Sequence, residues 1–362
     1  MSGFFNALFG KKTNSNPRKV VGVDLGATSI KVVELESHKD TISLATYGEI
    51  LIGQYGNAAL GDIAVLNPRQ EQTALIDVFR ESAVQANKAV FAIPMSSSFV
   101  TVINIPKLGA SQDIAAQIPV EARKYIPVPI SEVTLDWIEI QRADTEESED
   151  SHQVLLVALQ NEILKRLETL MKRTNLPGQL TEIECFSVIR GTSNQTQNSR
   201  VAIIDIGGAS TKLYITNNGL VEQLHRVRSG GAHITKKIAE ELKIDFTDAE
   251  ALKRSYSEND DEANVIIKKV HETIIGHTLV ELKQVLENYE SSRNAKLSQI
   301  VLTGGVTAYS DIISIVANDL GRDVIIAQPF SSVTFPAFME DVVQDIGPTF
   351  TIALGAALRQ FE

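Results

Sequence analysis

Apolar and polar positions along this chain mark out segments that come in two matching sets. In the first set, Val20–Asp24 is a β-branched apolar run, and Ser29–Glu36 and Thr41–Ile50 alternate with period two, so three strands are predicted. Apolar residues at helical spacing predict a helix over Gln70–Ala86, and Ala89–Ile93 reads as a further strand. There follow a strand at Ser98–Ile105, a helix at Ser111–Tyr125, strands at Val133–Ile140 and Val154–Leu159, and a helix at Asn161–Arg173. From Val201 the set restarts. An apolar run leads to an alternating strand through Leu213 and Ile215, a third strand at Val221–Arg226 and a helix from Ala232 to Leu242. Residues 243–298 read as mainly helical, Val265–Ile275 and His277–Tyr289 being the longest stretches, before a strand at Gln299–Leu302 and a last helix at Phe350–Arg359. Strand sets that occur twice with helices between them predict an α/β fold built by duplication, in two lobes.

The two sets also share a phrase. Val20-Val21-Gly22-Val23-Asp24-Leu25-Gly26-Ala27-Thr28-Ser29-Ile30-Lys31 aligns without gaps with Val201-Ala202-Ile203-Ile204-Asp205-Ile206-Gly207-Gly208-Ala209-Ser210-Thr211-Lys212. Each copy predicts a β-hairpin whose turn carries small residues and exposes backbone N–H groups, a good seat for an anion. An Asp beside a phosphate is repelled unless a cation lies between them, so Asp24 and Asp205 imply a hydrated Mg²⁺. Two such hairpins facing each other would form a phosphate clamp between the lobes.

Composition narrows the class. The balance of 43% hydrophobic and 22% charged residues is ordinary for a globular protein, and 362 residues suit two lobes. The net charge of −11 argues against a dedicated nucleic-acid binder. The single cysteine, Cys185, excludes a disulfide framework and reads as a small buried hydrophobe. No apolar run reaches the length of a membrane span and no signal peptide is visible, so a cytosolic location is expected. Residues 1–18 form a tail with Phe4, Phe5, Leu8 and Phe9 at helical spacing, either a flexible segment or a short helix that touches a membrane surface or a partner. The acidic loop Gln141–His152 is expected to be mobile.

Two further patterns carry candidate chemistry. At Leu302-Thr303-Gly304-Gly305-Val306 a strand ends on a double glycine before a helix, leaving room for a flat ring against the backbone. Glu250 and Lys253 lie three apart on one helical face, either as a solvated pair or with both heads on one ligand.

Together these motifs resemble the actin/Hsp70/sugar-kinase superfamily over nearly the whole chain. Ile93-Pro94, Asn104-Ile105-Pro106, Glu121 through Tyr125-Ile126-Pro127-Val128-Pro129 and Glu132-Val133-Thr134-Leu135-Asp136-Trp137 are similar to the insert of the PilM family of type IV pilus assembly proteins. The resemblance implies an actin-like (ribonuclease H-like) fold around a nucleotide cleft, with a strand-helix-strand-strand insert of the FtsA type in lobe one. It implies a tail at 1–18, a first subdomain at 19–94 that returns at 161–200 and in the helix of 346–362, and the insert at 95–160. A second subdomain spans 201–242 and 299–345, and a helical one 243–298. It further implies ATP with Mg²⁺ as cofactors. Asp24, Gly26, Ser29 and Lys31 match the first phosphate loop, and Asp205, Gly207, Gly208, Ser210, Thr211 and Lys212 the second. Gly304, Gly305 and Val306 match the adenosine motif, Glu250 and Lys253 the pair that holds the ribose, and Gly231 the glycine before a helix beside the nucleotide. Glu184 stands where relatives place a water-orienting acid, but Cys185 replaces the usual proline, so slow or negligible hydrolysis is expected; a plain helix-N-terminal acid is the other reading of Glu184.

The function implied is an adaptor at the inner face of the cytoplasmic membrane that captures the N-terminal cytoplasmic tail of a PilN-like membrane protein. Pilus motor ATPases and a second copy of the chain are further candidate partners, with membrane contact only indirect or through the tail. Two other readings stand beside it: an FtsA-like division filament, whose amphipathic C-terminal membrane helix is missing from this sequence, and a small-molecule kinase, for which the insert offers no evident catalytic Asp. An apolar groove is expected beside the insert, on a small sheet of about four strands bearing Ile103, Ile105, Tyr125, Ile126 and Pro127.

Overall fold

The computed structural model describes residues 19–39, 41–107, 114–140, 151–174, 176, 178–197 and 199–361. The tail 1–18 and most of the acidic loop lie outside the described residues. Strands β1 (Lys19–Leu25), β2 (Ser29–His38), β3 (Thr41–Leu51), β4 (Lys88–Ile93) and β8 (Gly178–Ile183) form one five-stranded sheet in the order β3-β2-β1-β4-β8. Strands β9 (Arg200–Ile206), β10 (Thr211–Asn217), β11 (Leu220–Val227), β12 (Ile300–Thr303) and β13 (Val324–Ile326) repeat that order as β11-β10-β9-β12-β13. In both sheets the hairpin pairs are antiparallel and the last two strands join in parallel. The duplication seen in the sequence is therefore one of topology.

The insert has three strands among the described residues rather than about four: β5 (Ser98–Pro106), β6 (Val133–Glu139) and β7 (Ser151–Gln160), in the order β5-β7-β6. The central strand β7 is apolar on both faces because both are covered. Val154, Leu156 and Ala158 pack under helix α2 (Ile114–Ala122), while Leu155, Val157 and Leu159 join a core that also takes Val20 and Val90 from lobe one and Val201 and Tyr214 from lobe two. That shared core seats the insert on both lobes.

The remaining helices of eight or more residues lie between and after the strands. Helix α1 (Pro68–Glu81) starts where Asn67 caps it, accepting from the N–H groups of Arg69 and Gln70 at 3.0 and 3.1 Å, while Gln70 accepts from Asn67 N–H. It stops short of Ala86 because Ala83 turns left-handed (φ 51°) and buried Glu34 accepts the N–H groups of Gln85 and Ala86. Helices α3 (Asn161–Arg173) and α4 (Glu184–Gly191) complete lobe one's middle portion, and α5 (Gly231–Leu242), α6 (Phe246–Arg254) and α7 (Glu262–Arg293) belong to lobe two. The two helical stretches predicted around Gly276 are one helix of 32 residues. Helix α8 (Ile312–Leu320) lies between β12 and β13. Helix α9 (Thr351–Leu358) returns to lobe one, where every residue is buried. Gly22 of β1 permits that approach: a Cβ there would stand 1.9 Å from the Ala353 carbonyl oxygen.

Candidate nucleotide cleft

Both hairpins are built by direct cross-strand pairing. Asp24 stands opposite Lys31 and Asp205 opposite Lys212, each pair next to its turn. The turns touch: a Cβ on Gly208 would fall 2.5 Å from the side chain of Thr28. Beneath them opens a cleft of about 370 Å³. Of the predicted residues, Asp24, Gly26, Lys31, Glu184, Asp205, Gly207, Gly208, Ser210, Lys212, Gly304 and Gly305 line it. Hence one cavity gathers residues from both copies of the repeated phrase and from the double glycine.

The other predicted residues stand behind the wall. Ser29 is buried and its hydroxyl holds Lys31 Nζ at 2.7 Å, and Thr211 donates to the Ser229 carbonyl at 2.8 Å. Gly231 braces the second hairpin, since its N–H donates to the Gly207 carbonyl at 2.9 Å and that of Ala232 to Gly208 at 2.9 Å. Val306 packs in the lobe-two core. Glu250 and Lys253 close on each other: Lys253 Nζ donates to Glu250 Oε2 at 2.5 Å, Thr235 Oγ1 to the same oxygen at 2.6 Å, and Arg254 Nε to Oε1 at 2.8 Å. The left-handed Gly61 (φ 85°), in the segment between β3 and α1, lies against Glu250, where a Cβ would meet the carboxylate carbon at 2.8 Å.

Sequence reasoning missed Glu49, Met95 and Arg226. Glu49 of β3 faces Lys31 Nζ at 3.3 Å, Met95 N–H donates to Glu184 Oε1 at 2.8 Å, and Arg226 adds a cation to the cleft. Only the alternation of β3 and β11 could have placed Glu49 and Arg226 on the hairpin faces. Nothing local marks Met95.

Electrostatically the site is a buried mixture of signs. Burial pushes the Asp24 carboxyl above its ordinary pKa, against the pull of Lys31 and Lys212. Burial likewise raises Glu184. Burial opposes the charge on Lys212, yet Asp205, Glu184 and Asp24 together hold its pKa above that of an ordinary lysine. Its Nζ lies 3.0 Å from Asp205 Oδ2 and 3.3 Å from Glu184 Oε2. Cys185 is fully buried, and burial raises its thiol pKa well above the usual value.

Three of the five residues expected at the partner groove face inward instead. Ile103, Ile105 and Ile126 pack with Ile118 and Ala122 in the insert's own core, whereas Tyr125 and Pro127 are exposed. The small sheet hides one face under α2, and that face consumes the alternate apolar residues.

The family model described as type IV pilus assembly protein PilM matches residues 22–361. The chain belongs to the PilM family. Cell division protein FtsA of Bacillus subtilis (strain 168) is 24% identical over 370 aligned positions, covering 91% of this chain and 83% of that protein. The solved PilM-PilN type IV pilus biogenesis complex matches with a TM-score of 0.81 at 21% identity, over 96% of this chain and 100% of the matched chain. MreB5 of Spiroplasma citri bound to ADP matches with a TM-score of 0.52 at 13% identity, over 94% and 95% of the two chains. The fold is thus the actin-like, two-lobed one expected of PilM family members. Among the described residues no helix is long and apolar enough to cross a membrane.

Proposed function

We propose that this chain is a nucleotide-binding adaptor of the type IV pilus assembly platform. Its cleft binds ATP, and its insert region captures the N-terminal cytoplasmic tail of a PilN-like membrane protein at the inner face of the membrane. The observation that carries the nucleotide part is the convergence of both repeated hairpins and the double glycine on one cleft. Support for the partner comes from the family and from the similarity to the PilM-PilN complex.

The residues fit the ligand. Gly304, left-handed at φ 95°, would place a Cβ 2.4 Å from the Ile206 carbonyl and 2.6 Å from Asp205 Oδ1, so only a bare backbone fits there. The carboxylates of Asp24 and Asp205 are hard oxygen donors of the kind a hydrated Mg²⁺ accepts. When bound, the ion would neutralise phosphate charge. Lys31 and Lys212 bring ammonium groups to the phosphates, the turns offer N–H groups, and Gly305, with open space around it, leaves room for the nucleoside.

Calorimetry with ATP and Mg²⁺ tests the reading. Asp205→Ala and Gly208→Asp should abolish binding, the second because its side chain would strike Thr28 and add a negative charge; unchanged affinity in either would reject the site. Fluorescence polarisation with a peptide of the partner's N-terminus tests the adaptor role, and failure to bind with or without ATP would reject it.

A further inference from the structure

The carboxylate of Glu184 touches three parts of the molecule at once. It belongs to the first residue of α4 in lobe one and is buried. Its Oε2 accepts from Lys212 Nζ of lobe two, the same ammonium that holds Asp205. Its Oε1 accepts from the N–H of Met95, the first residue after β4 and Pro94 and the start of the turn Met95–Ser97 that leads into β5. Pro94, Ser96 and Ser97 line the cleft, so the root of the insert is itself part of the cleft wall.

We propose that Glu184 is a positioning residue that transmits occupancy of the phosphate site to the insert, through Lys212 on one side and the Met95 amide on the other. This rests on the nucleotide reading above. Lys212 gives two of its three N–H donors to Asp205 and Glu184, and the Glu184 contact is the longer at 3.3 Å, so phosphate oxygens that draw the ammonium toward them weaken its hold on Glu184 first. A buried carboxylate that loses a cation partner leans on its remaining donor. Of the two donors described here, that is the Met95 N–H. Phosphate binding therefore tightens the hold on the first residue of the insert and orders the strand that follows it. Both oxygens of Glu184 are engaged in this role, which is that of a strut rather than of a base that receives a proton from water.

Hydrogen exchange on the full chain, with and without ATP and Mg²⁺, tests the relay without any partner. In the native protein ATP should slow exchange in both hairpins and also, by about fivefold or more, in residues 95–106. Met95→Pro removes the N–H that Glu184 holds, at the opening position of a turn where proline is tolerated. Met95 does not line the cleft. This variant should keep the hairpin response and lose the insert response. Met95→Ala, which keeps the N–H and trims the side chain, should retain both. Glu184→Gln keeps an acceptor for Met95 but no longer pairs with Lys212, and should lose the insert response. An insert response that persists in Met95→Pro or Glu184→Gln overturns the proposal, as does a native hairpin response with none in the insert. No response in the hairpins would reject the nucleotide reading itself, and the relay with it.

Discussion

Lys31 and Lys212 occupy the same cross-strand position, opposite Asp24 and Asp205 in the twin hairpins, but their ammonium groups face different carboxylates. Lys31 meets Ser29 and Glu49, whose side chain is 32% exposed, whereas Lys212 meets Asp205 and Glu184, each 4% exposed. Duplication supplied two copies of one pair, and the surroundings gave each a different partner.

That asymmetry makes the two lysines unequal in stability. Lys212→Met leaves two buried carboxylates without their shared cation and should cost about 3 kcal/mol. Lys31→Met removes the partner of partly exposed Glu49 and one of the two cations that act on buried Asp24, Lys212 remaining, and should cost less, about 1–2 kcal/mol. Urea midpoints of the two variants, measured at one pH, give the comparison; equal losses would contradict it.

Asp136 on β6 predicts a pH dependence. Trp137 N–H donates to its Oδ1 at 3.0 Å, but its buried Oδ2 has no partner among the described residues. Burial pushes its pKa up to about 7. Between the unfolded value of about 4 and this one, the folded state keeps a proton that the unfolded state has lost, so stability falls as pH rises through that window. Asp136→Asn should therefore be more stable than the native chain at pH 8, on the order of 1–3 kcal/mol, with little difference near pH 4. Thermal melts at the two pH values decide it, and an equal gain at both would show that the charge is not the cause.

Gly22→Ala should be severe. The added methyl would lie 1.9 Å from Ala353 O and 2.5 Å from Ala357 N, both backbone atoms of a buried helix. Backbone must move, and a loss of about 3 kcal/mol or more is expected. A denaturation midpoint within experimental error of the native one would show that α9 can slide on β1 freely.

Hydrolysis should be slow. Glu184 binds Met95 and Lys212, so orienting a water would require it to release a partner. Phosphate release well below the roughly 1–100 s⁻¹ of kinases is expected, and Glu184→Ala should change it little. Turnover in the kinase range that collapses in Glu184→Ala would restore a catalytic role to this residue.

The features legible in the sequence are those set by short-range pattern. Period-two alternation and the Asp-x-Gly turns located both hairpins, and the repeated phrase announced the shared topology. β8 and β13 were not legible, because Gly178–Ile183 mixes polar and apolar residues and Val324–Ile326 is only three residues long. Both are strands only by virtue of parallel neighbours, β4 and β12, far away in sequence. Helical spacing put Glu250 and Lys253 on one face, but it could not show that Thr235 and Arg254 would close the pair on itself. The hold of Glu184 on Met95 was likewise invisible, since it joins residues 89 positions apart through a backbone N–H that carries no sequence signal.

The contact between Gly22 and Ala353 also bears on how the chain is made. Strand β1 is synthesised before lobe two and α9 after it, yet α9 packs on β1 at Gly22 and covers the apolar face of β2. While the ribosome works through lobe two, that face has no permanent cover. Lobe one therefore cannot mature on its own ahead of lobe two, as successive domains commonly do during synthesis. The nascent chain must keep an unfinished sheet from pairing with its neighbours until α9 has emerged.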